Sequence, residues 1–402
     1  MAVRWLVSAW VLAAGLVSAQ PPVVAPPPAG AAAAPSAVVP LVPQKPHEWP
    51  RVVGEKSIGH YIEQMGSPDP TARWEAIRTL TYFGPVAARQ ASKQLLEAVG
   101  DTDPGVRVNA ILTLAAVGFD NRNDLPRAAQ ALRQAIKQTA PGSVIRLYAA
   151  RCLGAMGPDA HDALDALLIL TKDPAWETRD AAAEALGRVG TAVYDATPVP
   201  AGATPQPKRP VSAAARTRLL DLLKDPSKAV RLEAIQSLLL LGPPTPRDPD
   251  LYEKEAQPFI DEMVKRLDKG TDKAPGEKDP SVRLWLHTLL LSYDVRQAAT
   301  AMKELTAAVT AADRTTRVQG LTALTVCGPL SAGALTEVRA ALRAAEPDVA
   351  KAAVMCLLRM GIEGRKAVGD LQQLAASATD EELKKMATEA ARLLSPGAVP
   401  AK

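Results

Sequence analysis

The residues best suited to proton transfer or metal ligation are four histidines, His47, His60, His161 and His287. They fall in separate segments, not at the short intervals from which metal sites are built. His161 and Asp165 stand four apart, a spacing that on a helix could orient an imidazole or hold half of a metal site. Nothing nearby completes the set, so a surface hydrogen bond between them is expected. No glycine-rich phosphate loop follows a strand pattern, and no Ser, His and Asp trio can be placed. Cys152, Cys327 and Cys356 are odd in number and lie in apolar helical stretches, where they read as small buried hydrophobes; a disulfide framework would show even, dense spacing. The expectation is a protein that is not an enzyme, with no catalytic residue, cofactor or metal.

What recurs instead is an arginine: Arg73, Arg107, Arg146, Arg179, Arg231, Arg283 and Arg317, with Ala350 and Lys384 in the same place. Each guanidinium could pair with the capping Asp of its own or a neighbouring copy, as Arg107 with Asp69 or Asp103, forming a ladder; or the row could bind an acidic ligand. The Asp residues that accompany the arginines favour the ladder. Positions two, five and nine after each anchor share one helix face and are expected to meet solvent. They include Arg78 and Tyr82, Tyr148 and Arg151, Glu184 and Arg188, Glu233, and Trp285 with Thr288. Tyr, Trp and Arg combine large contact area with a polar handle, so Arg78, Tyr82, Tyr148, Arg151, Glu184, Arg188 and Trp285 are the candidate partner-binding residues. An ordinary solvated surface is the competing reading.

The elements that must position these residues are spelled out by one phrase, clearest at Asp103-Pro104-Gly105-Val106-Arg107 and closing at Gly118. Asp accepts first-turn N–H bonds, Pro suits the first helical position, and the final Gly supplies a left-handed stop. Ala110, Ile111 and Leu114 fall three, four and seven after the arginine, one face of a helix. Anchors are spaced by 34, 39, 33, 52, 52, 34, 33 and 34 residues, so the unit is about 34 long and two copies carry insertions. A second amphipathic segment precedes each phrase, as at 91–99, 128–137 and 160–170, making every unit a helix, a turn and a helix. The copy at Arg283 departs, with Leu286 and His287 for small residues and Asp294 for the glycine. Insertions at 194–210, 243–250 and 268–278 read as loops, and no strands are evident.

Lys and Arg total 47 against 43 Asp and Glu, interleaved throughout, which leaves no electrostatic footprint for nucleic acid. Aromatic residues are 4% of the chain, which favours closely packed small-residue helices over sheets. Arg4, an apolar run over 5–17 and Val17-Ser18-Ala19 form a secretory signal over 1–19 with cleavage before Gln20; the run is shorter than a bilayer needs, so no membrane span is expected after cleavage. Residues 20–55 form a Pro/Ala-rich linker and 396–402 a tail. The protein is expected to be exported, periplasmic or extracellular.

The Asp-Pro-x-x-Val-Arg-x-x-Ala phrase flanked by helices resembles the HEAT repeat family, particularly its short bacterial type, over residues 56–395. The resemblance implies an all-α fold, an α-solenoid with the right-handed superhelix of about nine hairpins, and a habit of binding protein partners along a concave ridge of second helices. Two catalytic families share such repeats, deoxyhypusine hydroxylase and the bilin lyases. The former resembles a di-iron enzyme with repeated His-Glu dipeptides; this chain has one, His47-Glu48, ahead of the repeats. No lyase motif matches residue by residue.

Overall fold

The computed structural model describes residues 49–118, 124–194, 207–244, 249–268, 270–271 and 274–395, all within the compact unit Trp49–Lys402. The expected signal segment, most of the linker, the C-terminal tail and the middles of the insertions lie outside the described residues.

Nine helix pairs follow one another among the described residues, as the arginine spacing requires. Their second helices are α1 Pro70–Leu80, α2 Pro104–Val117, α3 Val144–Met156, α4 Trp176–Val189, α5 Lys228–Leu241, α6 Pro280–Tyr293, α7 Arg314–Cys327, α8 Pro347–Met360 and α9 Glu381–Leu394. The first helices include Ile58–Gln64, Leu125–Gln138, Leu164–Leu170 and Ala298–Val309. Each second helix packs on the first helix of its own pair and on the second helices before and after it, which makes the fold an all-α solenoid.

Local chemistry sets the helix ends as the phrase predicts. Asp103 accepts from the Val106 amide at 3.0 Å, and Asp279 and Asp313 cap α6 and α7 in the same way. Gly118 ends α2 at φ 74°, a conformation that other residues avoid. Gly190 is different: its φ is −77°, and a Cβ there would meet the Leu186 carbonyl oxygen at 2.7 Å and the Ala215 Cβ at 3.0 Å, so room rather than handedness selects glycine. Asp294 ends α6 in extended backbone at φ −143°.

Three points of the sequence reading are corrected. Val52–Val53 pairs antiparallel with Lys56–Ser57, and Tyr61 donates to the Val53 carbonyl at 2.8 Å, so residues 49–55 belong to the folded unit and not to the linker. Two of the insertions also close as antiparallel strand pairs, Val193–Tyr194 with Pro207–Arg209 and Gly270–Thr271 with Ala274–Pro275. The third concerns the ladder. Arg73 reaches Asp101 at 2.7 Å, Arg146 reaches Asp173 at 3.2 Å, Arg179 reaches Asp225 at 2.7 Å and Arg231 reaches Glu277 at 2.7 Å. Each acceptor stands two residues before the helix cap of the following pair. It also takes a backbone amide, as Ser227 N–H to Asp225 at 2.9 Å, while Nη1 of Arg179 donates to the Asp173 and Pro174 carbonyls. A carboxylate at the cap itself would be busy with first-turn amides, which is why the rung uses the earlier one.

Rungs fail where that carboxylate is missing. Arg107 bonds only the Asp101 and Thr102 carbonyls, and Arg283 only those of Leu267 and Glu277, among the described residues. Arg317 uses the cap Glu346 at 2.6 Å, and Lys351, one residue past Ala350, takes over the eighth rung to Asp380 at 3.2 Å.

The apolar interior forms two clusters, one from Met65 to Tyr293 and one from Leu284 to Leu394, which divide at α6. The stretch Arg314–Ala341 is apolar enough to cross a membrane by composition. Gly328 at φ 59° breaks it in two, and Leu321, Leu324 and Val338 are buried in the second cluster, so it serves as solenoid core.

The rung should matter because its groups are largely removed from water. Arg179→Ala is expected to cost about 3 kcal/mol, since it strands Asp225. Arg133→Ala, which breaks an exposed pair with Asp165, is expected to cost about 1 kcal/mol or less. Urea unfolding of both variants measures the difference, and equal losses would remove the rung's structural role.

Candidate partner-binding ridge

The face carrying the candidate residues is built by small side chains at the seams between second helices. A Cβ on Gly154 of α3 would come within 3.1 Å of the Ala185 Cα on α4, and one on Gly187 of α4 would collide with Ser237 of α5 at 2.4 Å. Ser237 seals the second seam by donating to the Ala183 carbonyl at 2.9 Å. With α3, α4 and α5 this close, side chains at equivalent positions of three consecutive units converge.

Four of the seven sequence-predicted residues meet there. Arg151 lies 5.4 Å from the ring centroid of Tyr148, a cation–π contact one helical turn long. Arg188 pairs with Glu184 at 2.6 Å along α4. Beside them stand Asp180 on α4 and Glu233 on α5, both half-buried. Burial, then Glu184, raises the Asp180 carboxyl to about 6 against an opposing pull from Arg151. Burial, then Glu184 and Asp180, raises Glu233 to about 8, while the Ser237 hydroxyl and Arg188 act the other way. The centre therefore holds three carboxylates and two guanidinium groups, with Glu233 carrying its proton at neutral pH.

Arg78 and Tyr82 sit apart at the first unit. Arg78 is exposed and lies 5.2 Å from the Trp74 ring, and Tyr82 is 52% exposed in the turn after α1. Trp285 is a correction. It is 8% exposed and packs in the first apolar cluster, and its neighbour Thr288 is buried at 1%. Position two after the anchor lies at the seam with the preceding second helix, so a large side chain there lies down into the core. Glu75 in the first unit has no preceding second helix and stays exposed. Position nine is open in most units, as at Tyr82, Ala155 and Leu240.

Asp180 was not among the candidates, one position from those considered. Its signal was present in the sequence: Asp180 and Glu184 are like charges four apart on one helix, an arrangement that costs stability unless something compensates it. The expected His161–Asp165 bond does not form. Asp165 accepts from Arg133 at 2.6 Å and Lys137 at 3.2 Å on the preceding first helix, and burial and Arg209 lower the His161 imidazole. Cys152 and Cys356 are buried and Cys327 partly so, all three free, with burial raising each thiol to about 12. No group of His, Cys, Asp and Glu suited to a metal ion occurs among the described residues.

A raised carboxyl ties stability to pH. Glu233 keeps its proton in the folded chain and loses it more readily unfolded, so its contribution is full below about pH 4.5 and is lost as pH rises through about 8. Glu233→Gln is expected to unfold near the parent's temperature at pH 5 and several degrees above it at pH 9. Calorimetry at the two pH values checks this, and a gap that does not widen with pH counts against the protonated carboxyl.

Comparison with known proteins places this geometry. A model of HEAT repeats matches residues 60–146 and 139–199. A search of curated proteins found no match. Among solved structures, importin beta is similar over 84% of this chain and 47% of its own, at 13% identity and a TM-score of 0.48. The complex of CpcE and CpcF of phycocyanin lyase from Nostoc sp. PCC7120 is similar over 75% of this chain and 94% of its own, at 16% identity and a TM-score of 0.43. An engineered protein is similar over 84% of this chain and 98% of its own, at 19% identity and a TM-score of 0.36. The match to HEAT repeats spans residues 60–199, which carry α1 to α4 and so two of the three helices of the ridge.

Proposed function

We propose that this chain is an exported, non-catalytic scaffold that binds a protein partner through the ridge on α3, α4 and α5. The observation that carries the reading is the convergence of Tyr148, Arg151, Asp180, Glu184, Arg188 and Glu233 on three tightly packed helices. These side chains are already held by one another, so little rotamer freedom remains to be lost when a partner docks. The aromatic and guanidinium groups supply contact area. Desolvated carboxyls that resist ionising are relieved by an incoming positive charge, so the partner presents Lys or Arg at this point.

Export rests on Arg4, the apolar run over 5–17 and the small residues before Gln20. A mature chain whose N-terminal sequence starts at Gln20 is the expected result in a producing host; an intact Met1 would remove export from the proposal. A catalytic role on iron would be shown by stoichiometric metal in the purified protein.

The binding test compares three baits for affinity capture from the exported fraction. The parent and a control altered at an exposed edge pair, Arg314→Ala with Asp348→Ala, are expected to retain the same protein. The variant Tyr148→Ala with Arg151→Ala and Arg188→Ala is expected to lose it at least tenfold, with a thermal midpoint within a few degrees of the parent. Equal retention by all three baits would overturn the ridge as the docking surface.

A further inference from the structure

We infer that the seam between the sixth and seventh helix pairs is an acid-released joint, at which protonation of the buried His287 loosens units seven to nine from the rest of the stack. Three independent features of the packing meet there. The two apolar clusters meet at α6: Trp285, Leu286, Leu289, Leu290 and Tyr293 belong to the first and Leu284 to the second, with Val326 of α7 the contact that crosses back to the first. The polar ladder is also interrupted, because Arg283 bonds two carbonyls and no carboxylate of the seventh pair among the described residues. And His287, 5% exposed, has both ring nitrogens buried without a hydrogen-bond partner.

The position of the imidazole is the informative part. It stands four after the anchor, where other units place Ile77, Ile111, Ala183 and Ile235, all fully buried apolar residues. Neutral imidazole can occupy such a site at the cost of unmade hydrogen bonds; imidazolium there would be a buried charge. Glu304, on the first helix of the seventh pair, favours the cation and Arg283, one turn back on α6, opposes it; among the described residues no charged group of α5, α7 or the helix Pro249–Leu267 acts on the ring. Burial outweighs Glu304 and holds the imidazole below its ordinary range. The sign follows: the closed seam is fully stable above the free imidazole's value of about 6.5 and loses stability as pH falls below it, because only the opened form takes the proton freely.

The test is amide hydrogen exchange on the full chain at pH 7.5 and pH 5.5, corrected for the intrinsic pH dependence of exchange. Protection in the helices Ala298–Val309 and Arg314–Cys327 is expected to fall by up to about tenfold on acidification, while that of α3 to α5, where the raised Glu233 carboxyl favours the acid side, does not fall. In His287→Ile, which installs the residue found at this position in other units, the acid response is expected to vanish. His287→Gln, polar but unable to titrate, serves in the same way should the isoleucine variant fold poorly. An acid response that persists in the substituted chain, one spread evenly over all nine pairs, or none in the parent would each overturn the joint.

Discussion

Consecutive second helices of the ridge come close enough to exclude a Cβ where Gly154 meets Ala185 and Gly187 meets Ser237. Most of what distinguishes the middle of this solenoid follows from those two seams. A solenoid has no long-range core, so each pair is stabilised only by its neighbours, and the distance between consecutive second helices decides how much is buried. Small residues let α3, α4 and α5 draw together, which buries Ala181, Ala182, Ala183 and Ala185 completely or nearly so. The same closeness forces polar side chains on the outer face of those helices into one another's company. Asp180 and Glu233 are raised because the seam removes water from them before any opposite charge fully replaces it. Strain on the ridge and stability in the seam are thus two results of one packing decision.

The edge of the stack works by another logic. There the arginine, the carboxylate of the following pair and the backbone around each helix start form a polar rail broken at Arg107 and Arg283, in which one carboxylate serves both a guanidinium and an amide. Such bidentate bonds fix angle as well as distance, so the rail sets how one pair is placed on the next while the apolar seam supplies most of the free energy. The two interruptions differ in consequence. At Arg107 the apolar cluster runs on unbroken, whereas at Arg283 the rail breaks where the two apolar clusters meet.

Much of this was legible in the sequence because a repeat writes the same instruction many times. The arginine spacing gave nine pairs, and the Asp-Pro start and Gly stop of α2 fall where the phrase puts them. What was hidden depended on neighbours that no single copy contains. A neighbouring copy was allowed for, but four rungs take the carboxylate two residues before the cap, which also accepts a backbone amide, and only Arg317 takes a cap residue, Glu346, among the described arginine anchors. Trp285 was placed on the surface because its spacing repeats that of Tyr148, yet the seam behind α6 had room to take an indole into the core. Asp165 was matched to His161 on its own helix, while Arg133 and Lys137 of the preceding pair reach it first. Short strand pairs escaped because two or three residues in a turn-rich insertion carry no alternation to read.

The sixth unit shows what happens when one copy breaks the pattern. Replacing small residues with Leu286 and His287 puts larger groups into α6, and the loss of the closing glycine at Asp294 sends the chain out of the helix in extended form. Each change alone would be absorbed by neighbouring contacts. Together they fall where the carboxylate of the next rung is also absent, although α6 still packs on α7 and on the first helix of the seventh pair. In a one-dimensional stack, a single weak interface divides cooperativity, because there is no alternative path by which the two sides stabilise each other. The six pairs that carry the ridge are therefore placed on one side of that interface and the last three on the other. A change at the seam can alter the C-terminal units without disturbing the packing that holds Tyr148, Arg151 and Glu184 in register.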